Sequence, residues 1–432
     1  MHVVERFAAW AQRYRSQPLS SEVAHHARRA LIDWHAALYP GAVAAPATLL
    51  ERALADELDR GPARLALGRK ATVRAAALIN ATAAHTAEVD DIFRDGIYHP
   101  GAPTIAAAHA VSFREDNFLR SVVAGYEIST RIGAAMGRAH YRYWHNTGTI
   151  GCFGAAAAAA EALGLDAARF AHALATAATF SAGLQQAFRM DSMSKPLHAG
   201  HAAEAGLTAA LAAREGVTGS LDVMEGEAGY GRAMGDGPDW DQALATLGVD
   251  FHITRMTFKN HACCGHSFAA IDGALALQKK LSLRPEEMEK IEIATYRAGL
   301  EVAHYESPAT AAEARFSLKY VVATALTHGS VRLAAFEKER IEDPATRALM
   351  KRIDVRLDPE LDAAFPRQRA ARVAIEARGR RAEHLQPTRI GDPDAPLSDA
   401  QLGDKYLELA APVIGEPAAR AELARLWQLA AS

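Results

Sequence analysis

The chain has 432 residues, 50% of them hydrophobic, with 48 basic and 51 acidic residues and a formal charge of −3. Such a length and apolar content suit a globular protein with a substantial core and room for two or three domains. The balanced charge, with no run of five or more like charges, lacks the concentrated basic patch that a nucleic acid or an anionic membrane surface requires, so neither is expected as a partner.

The opening MHVVERFAAWAQRYR interleaves charges with apolar residues, unlike the hydrophobic stretch of a signal peptide. The apolar run from Ala155 to Ala160 is too short to cross a membrane and is followed directly by Glu161. Of the three cysteines, Cys263 and Cys264 are adjacent and Cys152 stands alone, which predicts a reducing, cytoplasmic setting.

In chain order, apolar residues three and four apart predict helices within 19–39, 47–58, 70–91, 117–140 and 165–188. Gly164 suits a helix end and Asp166 the cap of the next, a short junction that implies antiparallel neighbours. The alanine-rich 152–164 has no bulky stripe and reads as an interior helix held by close backbone approach. In SKPLHAGH, Pro196 suits a first helical position, and the helix then runs on to Gly216. Lys195 therefore stands beside unpaired N–H groups, an unfavourable place for a cation unless both share an anion.

After Ile253 the period shortens to two, predicting strands at 289–296, 352–357 and 372–377, between helices at 267–281 and 317–336. Helical patterns return near 388. The fold class is accordingly mainly α: a large all-helical domain over 1–254, a smaller α+β domain over 255–387, and C-terminal helices over 388–432 that rejoin the first domain.

Ionisable residues gather in four places: His85 to His99, His140 with His145, Lys195 to His201, and Lys259 to His266. HACCGH invites a zinc reading, but structural zinc sites take ligand pairs from two separated segments, adjacent cysteines cannot easily share one tetrahedral ion, and no CxxC pair exists elsewhere. Asp90 and Asp91 are neighbours whose side chains diverge, a poor magnesium pair. Neither GxxxxGK[ST] nor a GxGxxG after a strand occurs. No metal and no cofactor are expected.

The segments INATAAHTAEVDD, YHPGAPTIAAA, AGYEISTRIG, HNTGTIGCFGAAAAAA, SKPLHAGHAAEAGLTAALAAREGVTG, KNHACCGHSFAAIDGAL, RFSLKYVVATALTHG and GDPDAPLSDAQLGDKY occur in one order along nearly the whole chain. With them the sequence resembles the MmgE/PrpD family, which includes 2-methylcitrate dehydratase, cis-aconitate decarboxylase and iminodisuccinate epimerase. The resemblance implies a helical domain completed by the C-terminal segment, an α+β lid, a homodimer, and chemistry on a small di- or tricarboxylate without metal or organic cofactor. It implies catalytic roles for His99, His145, Lys195 and Asp90, and substrate contacts from Glu88, Asp91, Lys259, Cys264 and His266; by charge, Arg94 and Arg315 are further candidates to contact a substrate carboxylate, and Arg315 suits an ordinary structural ion pair equally well. Glu88 stands where the family's decarboxylases have the first aspartate of a D-x-D-D-T pattern, Ile92 replaces its threonine, and Cys264 holds the place of a histidine.

The chemistry common to such enzymes forms or discharges negative charge beside a carboxylate, so cations and donors must face the place where charge develops. Lys195, with the helix N–H groups, fits a carboxylate clamp. His99 and His145 are the side chains able to transfer protons near neutral pH. The reading that follows is a cofactor-independent, dehydratase-like lyase acting on a hydroxylated polycarboxylate; epimerisation of an iminodisuccinate-like acid, decarboxylation of a cis-aconitate-like acid, and a lapsed enzyme kept as a binding or assembly protein are the alternatives.

Overall fold

The computed structural model describes residues 1–112, 117–188 and 192–430. Contacts divide the chain into one unit of residues 1–258 with 398–432 and a second of residues 259–397. The joins fall at 258/259 and 397/398, a few residues beyond 254/255 and ten beyond 387/388. The second shift has a local cause: Arg389 chelates Asp392 through two hydrogen bonds of 2.9 and 2.8 Å, and Ile390 N–H donates to Asp272, so this stretch stays with the second unit.

The first unit is a helix assembly: α1 (Val3–Arg15), α2 (Ser21–Ala42), α3 (Val73–Thr86), α4 (Gly101–Val111), α5 (Phe118–Tyr141), α6 (Gly151–Ala162), α7 (Ala167–Thr179) and α8 (Ser194–Arg214). Ser20, Thr72 and Asp166 each accept from a backbone N–H three residues on, the expected start signal. Gly164 has φ 66° at the junction between α6 and α7. Ala155 through Ala160 are fully buried, as an interior helix demands. The close approach that small residues permit is explicit at Gly200, where a Cβ would lie 2.1 Å from Thr82 Oγ1; α8 thereby packs directly on α3.

Three sequence expectations change in this unit. Residues 58–71 form a hairpin of β1 (Leu58–Arg64) and β2 (Lys70–Ala71), because the preceding helix stops at Ala53. The 70–91 helix ends at Thr86, and Glu88 turns the chain at φ 59°. The 165–188 helix ends at Thr179; Gly183, at φ 128°, then carries the chain back so that its carbonyl accepts from His145 N–H at 2.9 Å.

The second unit carries a four-stranded sheet of β3 (Met288–Thr295), β4 (Ile353–Leu357), β5 (Ala371–Ala377) and β6 (Arg380–Gln386), in the order β4-β3-β5-β6. β3 is parallel to β4 and antiparallel to β5, pairing Ile291 with both Ile353 and Ile375. β6 escapes the sequence reading because its alternation is largely polar; Arg378 and Gly379, both at positive φ, make the two-residue turn that adds it. Helices α9 (Phe268–Leu281) and α10 (Leu318–His328) pack on one another, with α9 against β5 and β6.

The closing helices α11 (Asp399–Ile414) and α12 (Glu416–Trp427) belong to the first unit. Lys405 of α11 is 1% exposed and donates to Asp33 Oδ1 of α2 at 2.5 Å and to the Val89 carbonyl at 2.6 Å. The C-terminal helices thus brace the acidic turn that follows α3. No helix among the described residues is long and apolar enough to cross a membrane.

Candidate active site

The acidic turn is an excursion of the chain between α3 and α4. Ile92 pairs with Thr257 and Phe93 with Tyr98 as isolated bridges, and Lys405 holds the Val89 carbonyl, so Asp90 and Asp91 are fixed from both sides. Their side chains diverge. Asp91 accepts from Gly101 N–H at 3.0 Å and from the Tyr126 hydroxyl at 2.7 Å, anchoring the start of α4 to α5. Burial, then the nearby Asp33 charge, push its carboxyl up to about 8. Both oxygens of Asp91 are thus engaged in the interior, where they anchor the fold.

Asp90 faces the other way. Its Oδ2 meets His85 Nδ1 at 2.8 Å and His99 Nδ1 at 3.2 Å. Burial alone would raise this carboxyl, but His99 and His85 outweigh it and hold it well below the carboxylate range. The His85 ring lies edge-on to His99 at 4.7 Å and stacks on His145 at 5.5 Å and 21°. His145 Nδ1 lies 3.0 Å from His198 Nδ1. His99 N–H donates to Thr147 Oγ1 at 3.2 Å and Asn146 to the Gly96 carbonyl at 2.7 Å, which tie the turn to the one-turn helix after His145.

Four imidazoles and one carboxylate, drawn from α3, the acidic turn, the segment before α6, and α8, therefore form one connected array. Burial, then the charges of His85, Lys195, His198 and His99, hold His145 well below the usual imidazole range. Burial, then His85, His201 and Lys195, lower His198 to about 4. Both rings are consequently neutral at pH 7 and carry a lone pair able to take a proton.

Lys195 sits in the first turn of α8, which begins at Ser194, so Pro196 is its third residue rather than its first. Its ammonium is paired with Glu88, whose side chain reaches across from the acidic turn. The anion beside the cation at the helix start is, in this state of the protein, a side chain. Arg94 lies exposed on the turn between the Phe93 and Tyr98 bridge residues.

His85, Asp90 and His99 place three possible ligand atoms within 4.8 Å of one another, and this set could hold a metal ion. Asp90 Oδ1 and His85 Nε2 are buried without a hydrogen-bond partner, whereas Asp90 Oδ2 already serves both imidazoles. The sequence reading weighed zinc at HACCGH and left this triplet out.

The other predicted residues lie in the second unit. His261 Nε2 bonds Asp272 at 2.9 Å, and His266 Nδ1 lies 2.9 Å from the Tyr296 hydroxyl. Cys264 N–H donates to the Arg315 carbonyl at 3.0 Å; Arg315 in turn donates to the Ala262 carbonyl at 2.5 Å and lies over the Phe336 ring at 4.4 Å. Arg315 thus holds the Cys263–Cys264 loop in shape. Burial pushes both thiols up, which disfavours the thiolates a zinc site needs. Lys259, the first residue of this unit, is half-buried.

His85 and His198, which the sequence places in the ionisable clusters without a role of their own, complete the array. The signals were spacing: His198 lies three residues after Lys195, on the same helical face, and His85 lies five before Asp90 at a helix end.

A buried carboxylate–imidazole array of this kind is equipped for general acid–base chemistry. The MmgE/PrpD N-terminal domain matches residues 5–243 and the MmgE/PrpD C-terminal domain residues 261–429, and this chain belongs to that family. It is 26% identical to a cis-aconitate decarboxylase-like protein of Aspergillus oryzae, over 96% of this chain and 91% of that protein. It is 27% identical to the cis-aconitate decarboxylase of Homo sapiens, over 66% of this chain and 62% of that enzyme, and 24% identical to that of Aspergillus terreus, over 96% and 90%.

Proposed function

We propose that the protein is a lyase that acts on a small di- or tricarboxylate by transferring protons at a carbon next to a carboxylate. The observation that carries this reading is the convergence of His99, His145 and Asp90 within one array, with Lys195 close enough to depress His145. His99 and His145 are the proton-transfer groups, Asp90 orients His99, and Lys195 turns from Glu88 to a substrate carboxylate when one enters.

The leading reaction is dehydration: one imidazole takes the proton α to a carboxylate and the other protonates the departing hydroxyl. Glu88, Ile92 and Cys264, which depart from the decarboxylase pattern, favour it. The names of the similar proteins favour a second reading, decarboxylation, in which carbon dioxide leaves and an imidazole protonates the carbon. No metal takes part in either scheme.

A polycarboxylate panel run in deuterium oxide separates these. Dehydration gives an alkene with no carbon dioxide; decarboxylation releases carbon dioxide and places deuterium on the product. Exchange of the α-proton with retention of every other atom identifies an epimerase and overturns the lyase reading, as does a panel on which no acid reacts.

A further inference from the structure

We infer that the outer edge of β6 is a self-association surface, which pairs antiparallel with β6 of a second copy of this chain about a two-fold axis at Ala382. The contact lies wholly in the second unit and rests on nothing proposed for the acidic turn or its histidines.

β6 closes the strand order β4-β3-β5-β6, so the sheet bonds only one of its sides. The two-residue turn at Arg378 and Gly379 makes Ala377 and Arg380 a hydrogen-bonded pair. Alternation from that pair turns the N–H and C=O groups of Arg380, Ala382, His384 and Gln386 toward β5, and those of Arg381, Glu383 and Leu385 outward. Among the described residues no backbone group from outside the sheet bonds these three, and all three are exposed. Edges that must not pair are commonly blunted by a bulge, a proline or lysines. β6 has none of these: it runs seven residues in unbroken register with β5, without proline or lysine.

The charges select both the partner and the register. A two-fold axis at Ala382 sets Arg381 opposite Glu383 of the second copy and repeats that pair on the other side of the axis. Both are outward residues, so each pair also makes its two backbone hydrogen bonds, and Leu385 falls opposite Gly379. Moving the axis to Glu383 keeps the backbone bonding but sets glutamate against glutamate, and moving it to Arg381 sets arginine against arginine. Only the axis at Ala382 satisfies backbone and charge together. A self-complementary patch is what an isologous contact requires, and the Arg381-Ala382-Glu383 run supplies one.

The two faces of the sheet suit the contact. α9 covers the face of Val373, His384 and Gln386, all of which approach Gly273. Arg381 and Glu383 lie on the opposite face, their side chains 43% and 44% exposed. There Arg381 pairs with Glu292 of β3 and Glu376 of β5, and Glu383 pairs with Arg372 of β5. The pairs across the edge carry this alternation of sign on into the second copy, where each is of the kind that stabilises neighbouring strands. The two four-stranded sheets then become one, and neither copy keeps β6 as an edge.

Ala382→Cys in the full chain tests the axis. At a non-hydrogen-bonded position facing its own copy, the two Cα atoms lie about 4.5 Å apart, within reach of a disulfide. Mild oxidation should therefore link Ala382→Cys chains in pairs, while the parent and Arg380→Cys, whose position falls opposite His384, stay unlinked. Sedimentation over a concentration series tests the charges. Arg381→Glu or Glu383→Arg alone sets like charges opposite twice and should weaken the association about 10-fold, and the two together should recover it. Failure of Ala382→Cys to link, linking of Arg380→Cys just as readily, or a sedimentation profile that neither single reversal alters overturns the inference, as does a double reversal that stays as weak as the single ones. The disulfide measurement leaves every charge of the parent edge in place, so it decides the matter even where a reversal unsettles the sheet.

Discussion

Each unit of the molecule contains a buried aspartate–histidine pair, and the two differ in their company. Asp90 holds His85 at 2.8 Å in the first unit, and Asp272 holds His261 at 2.9 Å in the second. In both, the second ring nitrogen is buried without a partner. Yet Asp90 also serves His99, and His85 stacks on His145, which reaches His198. The other oxygen of Asp272 accepts from Ile390 N–H, and His261 meets the edge of Phe268, so that pair ties α9 to the strand exit after β6. A carboxylate–imidazole pair becomes machinery only when further ionisable groups can pass its proton on.

The comparison is broken most decisively at Asp90. Asp90→Asn removes the charge that orients His99, and His145→Gln removes a transfer group; each should lower kcat/KM by about 10²- to 10⁴-fold while the protein still unfolds cooperatively. Equal activity in either variant and parent would reduce the array to a structural cluster.

Lys195→Ala comes next. Losing a charge-assisted contact to a carboxylate should cost about 2–4 kcal/mol in the transition state, or about 30- to 1,000-fold in kcat/KM. Because the Lys195 charge helps hold the His145 imidazole down, its removal should also move the acid limb of the pH profile to higher pH. An unmoved limb would mean that burial alone sets His145. Glu88→Gln sharpens the point: freeing the ammonium from its side-chain partner should lower KM for a polyanion.

Asp272→Asn should behave oppositely, lowering stability by about 1–3 kcal/mol with kcat nearly unchanged. A large fall in kcat without loss of stability would give the second pair a chemical role. The smallest effect is expected from exhaustive chelation, which should leave activity as it was. Stoichiometric zinc or iron whose removal abolishes activity and whose return restores it would recast His85, Asp90 and His99 as ligands.

Much of this molecule was legible in the chain because periodicity and capping act locally. The starts of α2, α3 and α7 follow from Ser20, Thr72 and Asp166, and the buried polyalanine helix from its composition. What escaped depends on partners distant in sequence. β6 is polar and exists because β5 offers it an edge; the Ala262 carbonyl and the Phe336 ring are brought to Arg315 only by the fold. Within the site, the family motifs marked His99, His145 and Lys195. The partners of Asp91 escaped because only the fold brings Tyr126 to it, and the contact of His145 with His198 spans 53 residues.

The contact from Lys405 to the Val89 carbonyl carries a consequence for biogenesis. The turn bearing Glu88 and Asp90 is emitted early in synthesis, but the ammonium that braces it arrives more than three hundred residues later, after the entire second unit has intervened. At about 5–20 residues per second, tens of seconds pass between synthesis of Asp33 and synthesis of Lys405, its countercharge in the folded protein. The brace on this turn is therefore expected to close only after nearly the whole chain has been made.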